Sequence, residues 1–417
     1  MPLKRKLSLW EVTLCGIGLI LGAGIYVLIG EGAAFSQNAV WLSFLAGAVI
    51  ATLSGLSYAE LASMYPKAGA EYDYSMQAFG KRAAFITGWL AIFASILGAT
   101  TVAIGFGKYF GEFFALPWLA GAILIIAISA LVLLLGVQQS ARLGAIITLI
   151  EAAGLVFIVF IGIPFLGNLE FMEFPPAGGV LSGAVIVFFA FLGFEEVVRF
   201  SEETKNARTT IPKALILSIV ASTVLYVLVA IAAVSIVGWE ALAQSNSPLA
   251  LVAESVAGNN AFTALAVIAL FSTANTVLLV MLAASRLLYG ISEVHVLPSA
   301  LHRTWKNGVP WIAVLATAVL ALLFIALGEI GFVASTVDFA LFLIFIIINF
   351  SVIKLRFSEP EAERPFRVPL SIGRMPVLPV LGILSTLVLT ASVKPEVMLV
   401  GAAVTGIGAA IALLFER

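Results

Sequence analysis

Acidic residues and glycines stand in this chain where an apolar segment has little use for them. Glu151 lies within ITLIEAAGLVFIVFIG, with no basic residue inside one helical turn to pair with it. Asp338 lies in ASTVDFALF, Glu195 and Glu196 follow Phe194, and Glu60 stands in SGLSYAELASMYPKAGAEY. An ionisable group at the centre of a hydrocarbon span costs at least ~2.5–3.5 kcal/mol, so such residues mark ion or substrate paths unless they are paired. Glu60, Glu195 and Glu196 sit toward one end of their runs, where Arg199, Lys67 or other loop cations can reach them, and the ordinary reading is a structural ion pair. Glu151 has two readings, a coupling group or a protonated acid hydrogen-bonded to a neighbouring helix. For Asp338 they are a contact with a gate or substrate and simple solvation at the interface.

The glycines concentrate in GIGLILGAGIYVLIGEGA, residues 16 to 33, at Gly16, Gly18, Gly22, Gly24, Gly30 and Gly32. Each weakens a helix by ~1 kcal/mol relative to alanine. Small residues allow helices to pack closely in lipid. Alternatively, the helix breaks at Gly22, Ala23 and Gly24, and the amide hydrogens at the start of the new half-helix face an anion such as a carboxylate. A second candidate break lies in FFAFLGFEEVV, where Gly193 follows an aromatic cluster. Freed backbone groups are tolerated at membrane depth only when buried in protein or lining a cavity. Paired breaks at corresponding positions of two halves point to the central site of a secondary transporter.

The elements that position these residues follow from composition. Of 417 residues 62% are hydrophobic and only 11% charged, and the mean hydropathy is +1.13, far outside the range of soluble domains. Apolar runs near the ~20 residues that cross a bilayer occupy 12–30, 39–64, 83–107, 117–137, 143–166, 179–200, 211–237, 261–284, 310–327, 332–354, 375–391 and 397–415. They do not alternate as membrane β-strands do, so the class is an all-α polytopic membrane protein with twelve transmembrane helices. The first run follows Lys4, Arg5 and Lys6 but has Glu11 on its approach and no small-residue cleavage site, and it reads as a span rather than a signal peptide. With both termini cytoplasmic, every lysine and arginine except Lys108 and Lys394 falls on the cytoplasmic side, as the positive-inside rule requires. The breaks at Gly22–Gly24 and Gly193 then fall in the first and sixth spans, the first members of two five-helix halves.

Other classes of function find little support. A net charge of −1 argues against nucleic acid, and a single cysteine, Cys15, makes no internal disulfide. It gives no extracellular link to an accessory subunit either. Both histidines, His295 and His302, fall in one loop, which excludes a buried histidine relay. No metal-ligand spacing, GxSxG elbow or phosphate loop points to an enzyme, and no cofactor is implied; GFGKYFGEFF closes a span and follows no strand. A channel needs a continuous polar lining, whereas the polar residues here cluster around two breaks. A transporter-derived sensor stays open.

GAGIYVLIG at 22–30, SYAELASMYPKAGAEYDY at 57–74, FFAFLGFEEVVRFSEETKNARTTIPKA at 188–214, SRLLYGISEVHVLP at 285–298 and NFSVIKLR at 349–356 resemble the amino acid–polyamine–organocation superfamily. The likeness is greatest to its cationic amino acid transporter-like and prokaryotic amino acid permease members. It implies a LeuT-like fold in one transmembrane domain, with inverted repeats over about 8–168 and 176–356, discontinuous first and sixth helices, and two further helices over about 374–415. It also implies that Gly22, Ala23, Gly24 and Ile25 hold a substrate carboxylate through backbone amides. Phe189, Ala190, Phe191 and Leu192 then offer carbonyls to its ammonium, with Phe189 as an aromatic gate. Aligning the third span places Ala94 and Ser95 beside the substrate, and Ala99 where an arginine–agmatine exchanger has an asparagine. A small or medium neutral amino acid is the first expectation, with a cationic amino acid or polyamine kept open.

Departures bear on the driving ion. Proton-coupled relatives carry a lysine in the fifth helix within G-R-x(8)-K, and ARLGAIITLIEAAG places Glu151 there, with the charge reversed. Asn206 is followed by Ala207 in place of the usual proline. A carboxyl group protonated on one side and released on the other carries one proton per cycle. The same Glu151, with Ser272, Thr273 and Thr276 of the eighth span, supplies oxygen ligands for Na⁺ as the alternative, and uncoupled exchange is a third. The expected partners are thus an amino acid, H⁺ or Na⁺, and the lipid of the cell membrane.

Overall fold

The computed structural model describes residues 5–114, 116–168, 175, 178–245, 247–293, 297–305, 308–325, 330–391, 393 and 395–414. Lys4, His295, Lys306, Lys394 and Arg417 lie outside the described residues, as does the side chain of Ala23. The chain is almost wholly helical. Its helices are α1 (Leu9–Ser36), α2 (Val40–Met64), α3 (Glu71–Phe79), α4 (Lys81–Phe114), α5 (Trp118–Leu135), α6 (Val137–Gly162) and α7 (Gly179–Phe188). They continue as α8 (Ala207–Gln244), α9 (Pro248–Ala257), α10 (Asn259–Glu293), α11 (Trp311–Phe324), α12 (Ile330–Ser358), α13 (Val377–Ala391) and α14 (Pro395–Leu414). One small antiparallel hairpin, β1 (Ser371–Ile372) with β2 (Met375–Pro376), joins α12 to α13.

Among the described residues each apolar run is largely helical, the sixth passing from α-helix to 3₁₀ turns after Phe188. Among the described residues nine helical segments are long and apolar enough to cross a membrane, while Trp311–Phe324, Val377–Ala391 and Pro395–Ile411 are shorter apolar helices. The protein is an all-α polytopic membrane protein. Exposed leucines, isoleucines and valines crowd α5 and α6, among them Leu131, Leu135, Ile146, Leu149 and Val156. In water such a surface would drive aggregation; against acyl chains it carries no penalty. Two short helices were not expected from hydropathy, α3 and α9. The first of these buries Glu71, Tyr72, Asp73 and Tyr74, so it is held by polar contacts that an apolar-run reading overlooks.

The centre of the bundle is α1, which packs against α6, α7, α8 and α10. It starts in a capping box: the Glu11 amide donates to Ser8 Oγ, and the Ser8 amide donates to Glu11 Oε2 at 2.9 Å, so amides at the helix start are satisfied. Glycines let its neighbours approach. A Cβ at Gly16 would meet Ser218 of α8, at Gly18 Thr148 of α6, and at Gly30 and Gly32 Leu242 and Val187. These four positions are close-packing sites.

Buried ion pairs tie one end of the bundle together. Glu60 of α2 accepts from Arg356 of α12 at 2.6 and 2.8 Å, and Arg364 Nε lies 3.2 Å from the same carboxylate without an aligned hydrogen bond. Arg286 of α10 makes a bidentate pair with Glu203 at 3.1 Å. The Glu203 carbonyl in turn receives the amides of Lys6 and Leu7, which fixes the approach to α1. Removing one partner of a buried pair leaves a stranded charge, at a cost of about 3–5 kcal/mol. Glu60→Ala, which strands two arginines, is therefore expected to lower the thermal unfolding temperature in detergent sharply. Glu363→Ala, at an exposed pair with Arg208, should change stability by less than about 1 kcal/mol; equal losses would contradict this account of Glu60.

Candidate functional site

Both expected breaks are present. In α1 the helical path is interrupted at Gly22, with φ −14° and ψ −143°. α7 stops at Phe188, residues Phe189–Phe191 form one 3₁₀ turn, Leu192 is extended, and Gly193 takes φ +113° before a second 3₁₀ segment over Glu195–Glu203. That φ is left-handed and suits glycine alone. The two breaks touch. A Cβ on Gly24 would collide with the Ala190 Cα, one on Gly22 with Thr276 of α10, and one on Gly193 would lie 2.8 Å from the Leu19 carbonyl oxygen.

Carbonyls freed by the breaks need partners in lipid. Tyr226 of α8 supplies one. Its hydroxyl is fully buried, donates to the Ala190 carbonyl at 2.9 Å and lies equally within reach of the Ile20 carbonyl. One phenol thus bridges the interrupted segments of α1 and α7. The Tyr226 ring packs edge-on against Phe191 at 5.2 Å and tilts against Phe44 at 5.5 Å.

Between the breaks lies a small cavity of about 50 Å³. Gly22 and Gly24 line it from α1, Ala94, Ser95, Gly98 and Val102 from α4, and Phe189, Leu192, Gly193, Glu195 and Glu196 from the second break. Thr276 and Val280 of α10 and Val337 and Leu341 of α12 close the far wall. Of the residues expected from sequence, Gly22, Gly24, Ala94, Ser95, Phe189, Leu192 and Thr276 are brought together here. Ala190 meets Gly24 behind the wall, whereas Ile25 and Phe191 are fully buried with no share in the lining. A helical or 3₁₀ turn points only some of four successive side chains at one face.

Carboxylates occupy one end of this cavity. Glu195 Oε2 accepts the Gly193 amide at 3.0 Å, so the acid caps its own break. Glu196 Oε1 receives Ser95 Oγ at 2.9 Å, and its other oxygen pairs with Arg199. Arg199, fully buried, also donates to Ser95 Oγ and to Glu71 of α3 at 3.0 Å. The ion pair expected for Glu196 is therefore present, and it links the cavity floor to a short helix outside the spans. One arginine, Arg199, thus faces the three carboxyl groups of Glu71, Glu195 and Glu196.

Behind the α1 break stands a separate polar cluster. Glu151 of α6 is fully buried; its Oε1 accepts from Asn275 Nδ2 of α10 at 3.0 Å, and its carbonyl accepts from Tyr26. Asn275 Nδ2 also reaches Thr148 Oγ1 at 3.0 Å. Glu151 Oε2, Asn275 Oδ1 and Ser272 Oγ are buried without a hydrogen-bond partner among the described residues. Thr273 and Thr276 donate to carbonyls of their own helix, and Thr276 Oγ1 lies 3.4 Å from the Gly18 carbonyl. Asn275, a polar residue within STANTV, was missed by a reading that searched for ionisable groups. Asp338 lies apart, in a second cavity with Phe35, Ser182, Ser335 and Phe342, its Oδ1 unpartnered among the described residues. Among those residues no group of three histidines, cysteines or acids is placed to hold a metal ion.

The contact between the breaks can be tested by adding single methyl groups. Gly193→Ala forces a left-handed residue and a Cβ against a carbonyl, and should cost at least about 1–3 kcal/mol. Gly98→Ala meets only Val280 Cγ1, at 4.0 Å, and should leave the unfolding temperature unchanged. Equal stability of the two variants would show that the breaks do not lean on one another.

The sequence profile of the amino acid permease family matches residues 7–413. A branched-chain amino acid permease of Bacillus subtilis is 31% identical over 413 residues, spanning 93% of this chain and 88% of the relative. A methylthioribose transporter of the same organism is 29% identical over 404 residues, spanning 91% and 86%. A vacuolar cationic amino acid transporter of Arabidopsis thaliana is 30% identical over 267 residues, spanning 58% of this chain and 44% of the relative. With a family match over nearly its whole length, the chain belongs to the amino acid permease family, within the amino acid–polyamine–organocation superfamily of transporters.

Proposed function

We propose that this permease carries small or medium neutral amino acids across the cell membrane by alternating access, coupled to protons through Glu151. The substrate reading rests on the cavity between the breaks. Its walls at Val102, Val280, Val337 and Leu341 suit an aliphatic side chain. The α1 segment Gly22–Ile25 holds the carboxylate with backbone amides at a helix start, and the Phe189–Leu192 turn receives the ammonium, with Phe189 above it as the gate. A relative named for branched-chain amino acids supports the same class. A cationic amino acid is the second reading, favoured by the Glu195 carboxylate on the cavity wall and by Asp338 as an outer contact.

In this reading the twelve apolar runs are twelve crossings. They form two inverted repeats, about 8–168 and 176–356, with α13 and α14 added, and the basic residues place both termini in the cytoplasm. Glu151 carries the coupling reading because it is fully buried behind the α1 break with Oε2 unpartnered, so a proton there alters the packing of α6 on α1 and α10. Na⁺ is the competing ion, since Glu151 Oε2, Asn275 Oδ1 and Ser272 Oγ offer three oxygens with unused lone pairs, and Na⁺ takes oxygen ligands.

Reconstituted protein separates the two. An imposed inward pH gradient should drive leucine accumulation in vesicles, and a sodium gradient at equal pH should not. Glu151→Gln should reduce the gradient-driven accumulation roughly tenfold, within the range of coupling free energies between linked sites, while leucine counterflow persists. Full accumulation by Glu151→Gln would remove Glu151 from the coupling, and accumulation driven by sodium alone would reverse the assignment of the ion.

A further inference from the structure

The segment between α12 and α13 carries a feature that transport of an amino acid does not use. It joins two apolar helices, so it lies at the level where lipid headgroups meet water. Arg356 of the last turn of α12 and Arg364, Arg367 and Arg374 of this segment surround one cleft, together with Pro360, Glu361 and Ala362. Arg356 and Arg364 form its floor and share the single carboxylate of Glu60. Arg356 is further fixed by Ser371 Oγ at 3.0 Å and the Val368 carbonyl at 3.0 Å. Arg364 donates to the carbonyls of Leu355, Glu359 and Ala362. Both floor arginines are thus held in place before any ligand arrives.

The rim is different. Arg367 and Arg374 are exposed and make no ion pair among the described residues. The other acids of the segment are engaged elsewhere: Glu359 accepts from Tyr65 and Glu363 pairs with Arg208. That leaves Glu361 as the acid lining the cleft, against four arginines. Beside them the hairpin turns apolar side chains outward. Leu370 is 67% and Ile372 78% exposed, with Met375 next to them. Arginines around a cleft beside an exposed apolar tip fit a surface that is wet on one side and meets acyl chains on the other.

From these observations we infer that the α12–α13 segment is a binding site for an anionic phospholipid, with Arg367 and Arg374 receiving the phosphate at the cleft and Leu370 and Ile372 resting against its acyl chains. A planar guanidinium pairs with phosphate oxygens through two hydrogen bonds, and basic pockets at the cytoplasmic surface are suited to anionic headgroups. The site lies apart from the cavity between the breaks, so it stands whatever amino acid is carried.

Native mass spectrometry of the detergent-purified protein tests it, with phosphatidylglycerol or phosphatidylcholine added and inorganic phosphate as competitor. Phosphatidylglycerol should remain bound in preference to phosphatidylcholine. Arg367→Ala with Arg374→Ala should weaken that binding by roughly fivefold per arginine, and the lysine pair Arg367→Lys with Arg374→Lys, which keeps the charge but loses the paired hydrogen bonds, should fall between wild type and the alanine pair. Both variants should keep the wild-type unfolding temperature in lipid-free detergent, because neither residue is in the buried Glu60 network. Equal retention of the two lipids, or of phosphatidylglycerol by wild type and the alanine variant, overturns the inference. Displacement of the lipid by millimolar inorganic phosphate overturns it as well, since the site would then take a soluble anion.

Discussion

The structure depends on one constraint: a helix broken inside the bilayer must give every freed backbone group a partner, because lipid offers none. Here two breaks solve the problem together. Gly24 lies against the Ala190 backbone, Gly193 against the Leu19 carbonyl, and Tyr226 bridges the carbonyls of Ile20 and Ala190. Each solution requires the absence of a side chain or the presence of one phenol. What stays unfilled between the breaks is the cavity, so the chemistry that makes interruption tolerable also makes room for a polar ligand.

Charge follows a related logic. Arg199, Arg286 and Arg356 are buried, and each meets a carboxylate on another element. Such pairs contribute little net stability compared with apolar packing, yet losing one partner is costly. They therefore act as joints between helices rather than as a source of folding energy. Glu151 differs from them in kind: it has an amide partner, Asn275, and no cation among the described residues. A carboxyl group with one satisfied oxygen and one bare one changes from acceptor to donor at the bare oxygen when it takes a proton there.

Much of this was legible in the sequence because the lipid imposes strong rules on composition. The run ending at 237 stops where Gly238 leaves the helix with φ +77°, and the breaks at Gly22 and Gly193 fall where glycine density and the aromatic cluster placed them. Residues whose importance comes from packing between distant segments were not legible. Tyr226 is one tyrosine in an apolar run, and nothing local shows that it meets Ile20 and Ala190. Asn275 carries no charge and so escaped a search for charges. Ile25 and Phe191 share motifs with cavity residues, and their side chains are buried outside the cavity lining. α3 was overlooked because its buried Glu71 and Asp73 read as loop residues until Arg199 and Lys67 are seen beside them.

The central claim is that the two breaks face a single amino acid. A structure of the protein determined with bound leucine tests it most directly. The account predicts density between Gly22–Gly24 and Phe189–Leu192, the carboxylate toward the α1 amides and the aliphatic chain against Val102, Val280 and Val337. Leucine bound elsewhere, such as in the cavity beside Asp338 with the space between the breaks empty, would contradict it.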